Sequence, residues 1–105
     1  SIDVSVMSFS WSAIEKVKRL DSLIPTTFLM HLKTPLTLAR LSSAPVIGPG
    51  IDLLREKPEL ASKIKKMGRS LSVWTVDRAE DIELCKELGV DNLITNTPAH
   101  ARTFL

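Results

Sequence analysis

The stretch Leu71-Ser72-Val73-Trp74-Thr75-Val76, read with Asp77-Arg78-Ala79-Glu80 behind it, decides the fold class. Its branched and aromatic residues alternate with small polar ones, which is the pattern of a strand. Asp77 and Glu80 then stand at capping-box spacing, where the first side chain accepts from the backbone three residues on and the second reaches back. The helix predicted from them carries Ile82, Leu84, Cys85 and Leu88 and stops at Gly89. Val90 to Thr95 reads as another strand, and Thr97-Pro98 as the start of a terminal helix.

The same rhythm runs upstream. Asp3 to Phe9 alternates polar and apolar residues as a strand does, and Ser10 can cap a helix from Trp11 to about Leu23. Ile14, Val17, Lys18 and Leu20 form its stripe, and Pro25 ends it. Thr26 to Leu32 is a second strand, and Thr34-Pro35 a helix start, with Thr34 as cap and Pro35 at the first helical position. Ala44 to Ile47 is a short strand closed by Gly48-Pro49-Gly50. A helix opened by Asp52 or the nearby backbone is interrupted at Pro58, resumes to Met67, and meets a left-handed stop at Gly68.

Strands alternating with helices imply an α/β protein with a parallel sheet, because parallel neighbours need a crossover. Right-handed crossovers leave the doubly wound open sheet and the closed barrel. No Gly-rich phosphate loop follows a strand, which disfavours the nucleotide-binding open sheet.

At 105 residues there is room for one small domain, spanning 1–105, and a charged fraction of 25% with 44% hydrophobic residues excludes disorder. A net charge of +2 is too small to point to nucleic acid. Lys63, Lys65 and Lys66 read as a solvated helix face. The lone Cys85 has no partner for an internal disulfide and reads as a small core or boundary residue. No apolar run is long enough to span a membrane, and Ser1-Ile2-Asp3 does not start a signal peptide, so a cytoplasmic location is the expectation. The sequence starts inside a strand with no lead-in, as an excised piece of a longer protein would.

In a parallel sheet, function gathers at the C-terminal ends of the strands. Those positions are Ser8, Phe9 and Ser10; Met30 and His31; Gly48 and Gly50; Trp74, Thr75 and Asp77; Thr95 and Asn96. The rim is aromatic and hydroxyl-bearing, with few acids. It can bind a substrate but lacks obvious machinery for breaking a bond. His31 is the one tempting catalyst, either touching substrate or satisfied elsewhere. Trp74 is either a core residue or the wall of a pocket. Asp77 reads as a helix cap and His100 as an exposed helix residue. No carboxylate pair or His/Cys/Asp cluster marks a metal site.

Trp74-Thr75-Val76, then Glu87-Leu88-Gly89-Val90-Asp91 and the run Asn92 to Pro98, resemble the closing segment of glycerophosphodiester phosphodiesterases. Ser8-Phe9 is similar to that family's Ser-Phe pair. Asp77 and Asn96 depart from it, standing where Asn and Asp are commoner. The resemblance implies a TIM barrel, of which this chain would be the C-terminal half, with about four to five strands. It also implies hydrolysis of a small-molecule glycerophosphodiester to glycerol phosphate and an alcohol, assisted by calcium or magnesium. The family's His-Arg-Gly, Glu-x-Asp and Glu-x-Lys segments do not occur here. The expectation is therefore that these residues supply pocket walls (Trp74, Phe9, Ser8, His31, Thr95 and Asn96), include no catalytic or metal-binding residue, bind no cation and are inactive alone. An alternative stays open: a non-catalytic half-barrel that self-associates or complements another half, because exposed strand edges and an uncovered inner face favour association. An unrelated α/β binding module is the third possibility.

Overall fold

The computed structural model describes residues 6–94. Its elements are β1 (Val6–Ser8), α1 (Trp11–Leu20), β2 (Thr26–Met30), α2 (Leu36–Leu41), β3 (Val46–Pro49), α3 (Ile51–Glu56), α4 (Glu59–Lys66), β4 (Ser70–Trp74), α5 (Ala79–Leu88) and β5 (Asn92–Ile94). The strands lie side by side in sequence order, and every neighbouring pair is parallel. A doubly wound sheet reverses its order at a switch point, whereas a barrel winds in one direction. The order found here is that of a run of barrel units.

Local chemistry explains most boundaries. Ser10 caps α1 as expected, its Oγ accepting the Ala13 N–H at 3.2 Å. The helix stops at Leu20, short of the expected Leu23, because Asp21 accepts the Leu23 N–H at 3.0 Å and folds the chain into a side-chain turn before Pro25 is reached. Pro58 separates α3 from α4, and Gly68 and Gly89 stop their helices at φ 76° and 72°.

Three expectations fail locally. Thr34 does not cap α2; its Oγ1 accepts the His31 N–H at 3.0 Å, and Pro35 becomes the cap residue in an extended conformation. Gly48 and Pro49 do not close β3 but belong to it. A Cβ at Gly48 would lie 2.9 Å from Leu29 and 3.2 Å from the Ser72 carbonyl, so the strand passes its neighbours only without a side chain there. The cap of α5 falls one residue later than expected: the helix starts at Ala79 behind Arg78 rather than Asp77, and the Glu80 carboxylate is drawn to the Arg78 guanidinium. Beyond Ile94, Thr95, Asn96, the Thr97-Pro98 helix start and His100 lie outside the described residues, as does the expected opening of the first strand at Asp3.

The core fills the space between the sheet and its helices. Phe28, Ile47, Leu71 and Val73 point from the strands to meet Ile14, Leu54, Ile64 and Ile82, all fully buried. Cys85 joins them, and burial pushes its thiol up to about 11, so it is an inert core residue. Lys63, Lys65 and Lys66 are exposed on α4, as expected of a solvated face.

Candidate functional site

Parallel strands bring all their C-terminal ends to one edge, and three aromatic rings meet there. Trp74 ends β4. Because side chains alternate along a strand, Val73 enters the helix-side core and Trp74 takes the other face. The indole Nε1–H donates to the Gly48 carbonyl at 2.7 Å. Its six-membered ring lies against Gly50, where a Cβ would come within 3.2 Å. Both contacts lay the indole across the end of β3. Phe9, just past β1, packs edge-on to it, with centroids 5.5 Å apart and planes at 84°, the arrangement favoured by aromatic quadrupoles. The His31 ring, past β2, lies 5.5 Å from Phe9. Trp74 and Phe9 thus share one mouth, where Trp74 is half-buried.

His31 is exposed, and its Nδ1 accepts the Lys33 N–H at 3.3 Å. In the neutral ring that leaves the proton on Nε2. Ser8 does not join the rings. It pairs in register with the core residue Phe28, on the helix side of the sheet, and its Oγ accepts the Ser10 N–H at 3.0 Å. Thr95 and Asn96 lie outside the described residues.

Beside the rings opens a cleft of about 590 Å³, whose polar lining comes from His31, Lys33, Asp52, Arg55 and Thr75. Arg55 is its organising charge. Its Nε donates to Asp81 at 2.9 Å, a second guanidinium nitrogen bonds the other Asp81 oxygen, and a third reaches Asp52 at 2.6 Å. Those hydrogen bonds hold Asp81 below the usual carboxylate range although it is buried, and raise Arg55 in turn. The sequence reading did not single out this trio. Asp52 and Arg55 show helical spacing, but Asp81 is 26 residues from Arg55, and no local pattern joins them.

A divalent cation finds no fitting donor set here. Among the described residues no three His, Cys, Asp or Glu side chains come together, and Asp52 and Asp81 are already taken up by Arg55. The rings at the mouth offer an aromatic face against which an apolar or polyol group can pack. No helix among the described residues is long and apolar enough to cross a membrane.

Comparison with known proteins gives a consistent result. The model of the Glycerophosphoryl diester phosphodiesterase family matches residues 1–100. A Mycobacterium tuberculosis protein named "Probable glycerophosphodiester phosphodiesterase 1" is 36% identical over 102 residues, covering 95% of this chain and 37% of its own length. A Caldanaerobacter subterraneus glycerophosphodiester phosphodiesterase is 51% identical over 41 residues, 39% of this chain and 17% of that protein. Among solved structures, a glycerophosphodiester phosphodiesterase from Parabacteroides distasonis superposes with a TM-score of 0.80 at 21% identity, over 94% of this chain and 41% of that one. The chain thus spans little more than a third of the curated relative that it matches along nearly its whole extent.

Proposed function

Because the chain belongs to the glycerophosphoryl diester phosphodiesterase family, we propose that it forms one wall of a pocket in which a glycerophosphodiester is hydrolysed to glycerol phosphate and an alcohol. The observation that carries this is the meeting of Phe9 and Trp74 at the strand ends, with the indole pinned by Gly48. A pinned aromatic face packs against the carbon side of a glycerol or alkyl group and excludes water from it. His31 borders the same cleft, with Nε2–H free to donate to a hydroxyl or phosphate oxygen. Thr95 and Asn96 follow β5 in sequence and complete the wall in this proposal.

The bond-breaking groups come from elsewhere. Hydrolysis of an anionic diester needs charge neutralisation at the phosphoryl oxygens and a proton for the leaving alcohol. A calcium or magnesium ion would supply the first when bound to the complete domain; the residues described here do not fit one. Accordingly, the 105-residue chain is expected to show no turnover of glycerophosphodiesters with either cation. Mixing it with the unmatched portion of a longer family member should restore turnover, and Trp74→Ala in the mixture should lower kcat/KM by about tenfold or more. Clear metal-dependent hydrolysis by the pure chain alone would sink the proposal. A cytoplasmic setting belongs to the same reading, on the sequence expectation.

A second reading rests on the inner face of the sheet, where Met7 is 46% exposed beside half-buried Leu29 and Val46. An apolar surface of this kind favours a half-barrel that pairs with another copy or half. The native mass in solution separates the two: a lone monomer counts against pairing with itself.

A further inference from the structure

The opposite edge of the sheet carries a second surface with different chemistry. Each crossover helix returns against the direction of its strand, so α1 and α2 both finish at the N-terminal edge, away from the ring cluster. The Glu15 carboxylate on α1 accepts both the N–H and the hydroxyl of Ser43, just beyond α2, at 2.9 Å. Three leucines at this edge stand in solvent: Leu20 at 76%, Leu23 at 88% and Leu41 at 67% exposed. They are the three most exposed large hydrophobic side chains among the described residues.

Cations neighbour them in sequence at the same helix ends. Lys18 and Arg19 occupy the last turn of α1, and Arg40 the last turn of α2. Arg69 holds the end of α2 by donating to the Ala39 and Ala44 carbonyls at 3.2 and 2.9 Å. Asp21, which accepts the Leu23 N–H, and Glu15, which accepts from Ser43, keep their charge, but Lys18, Arg19, Arg40 and Arg69 outnumber them. Helix dipoles account for cations at helix ends. They do not account for leucines interleaved with them.

We propose that this edge docks on an anionic phospholipid bilayer surface, with Leu20, Leu23 and Leu41 entering the acyl boundary and Lys18, Arg19 and Arg40 meeting the phosphates. A peripheral surface of this kind needs apolar side chains to insert and a positive rim to meet the headgroups, and both are present on one edge. A second copy of the chain is the poorer occupant, because apposing this edge with itself would set cation against cation.

The test is co-sedimentation of the 105-residue chain with vesicles of phosphatidylglycerol and phosphatidylcholine, against vesicles of phosphatidylcholine alone. The expected result is binding to the anionic vesicles, little to the neutral ones, and release by high salt. Leu23→Ser and Leu41→Ser each weaken partitioning by roughly tenfold, and Lys18→Ser and Arg19→Ser each by about fivefold. All four positions are exposed, so thermal unfolding by circular dichroism stays where it was. Absence of binding to either vesicle, equal binding to both, or indifference to the leucine changes would overturn the proposal. So would a dimer in solution that the leucine variants dissolve.

Discussion

Along β2, Phe28 and Met30 face the helices and are 0% and 1% exposed, while Leu29 between them turns the other way and stays half-buried. The same alternation runs across the sheet. Ile47, Leu71 and Val73 lie on the closed side; Met7, Val46 and Trp74 lie on the other. In the middle the inner face is tight, with Thr27 and Ser72 buried around the side-chain-free Gly48. At its margins it is open. The helix side is a finished core, whereas the inner side is a surface shaped for packing that is only partly packed. That difference is what a run of barrel units entails: helices cover the outside unit by unit, but an inner face is filled by side chains from strands around the whole ring.

The largest effect should come from testing the two faces against each other. Phe28→Ala removes a fully buried ring and is expected to cost about 3–5 kcal/mol in urea unfolding. Met7→Ala, on the half-open face, should cost less than about 1 kcal/mol. Equal penalties would mean that the inner face is covered in solution, and the contrast would fall.

A smaller effect tests how the helix side is fastened at its upper rim, where Arg55 on α3 grips Asp81 on α5. Removing the partner of a buried charge is costly, but Arg55 is 39% exposed and water can replace part of the bond, so Asp81→Ala should cost about 1–3 kcal/mol. The pH dependence has a definite sign. Asp81 titrates lower in the folded state than the ordinary 3.8, so its contribution is complete above the unfolded value. It is lost as pH falls from there through the folded value. Urea midpoints should therefore drop on acidification in the parent and drop less in Asp81→Asn. An identical acid profile in both would show that the pair does not fasten the helices.

These contrasts also mark what could be read from the amino acids alone. The β/α order was legible because each strand and helix is a local pattern, and Gly68, Gly89 and Pro58 punctuate it. The convergence of Phe9 and Trp74 was legible once the strands were taken as parallel, since parallel strands deliver their ends to one edge. Three features escaped, the first to competing local contacts and the other two to contacts distant in sequence. Thr34 and Asp77 have good capping chemistry, yet the His31 turn claims the first and Arg78 takes the cap position at the second. Gly48 looked like a turn residue, when its role is to let Leu29 and Thr27 pass. The Arg55–Asp81 pair depends on α3 and α5 flanking one strand, which no sequence window contains.

The smallest effect lies where the two regions meet. Trp74 stands at the margin of the inner face, and its Nε1–H ties the indole to β3 by donating to the Gly48 carbonyl. Trp74→Phe keeps the apolar body and deletes that donor. A carbonyl stranded in a sealed core would carry the full desolvation penalty, roughly 1–3 kcal/mol. At an open mouth, water reaches the carbonyl and the loss should be about 0.5–1 kcal/mol. The measurement is again the urea midpoint, with Phe28→Ala as the closed-face reference. A loss above about 2 kcal/mol would mean that the mouth is dry, and that the rings form part of a closed core rather than the wall of a pocket.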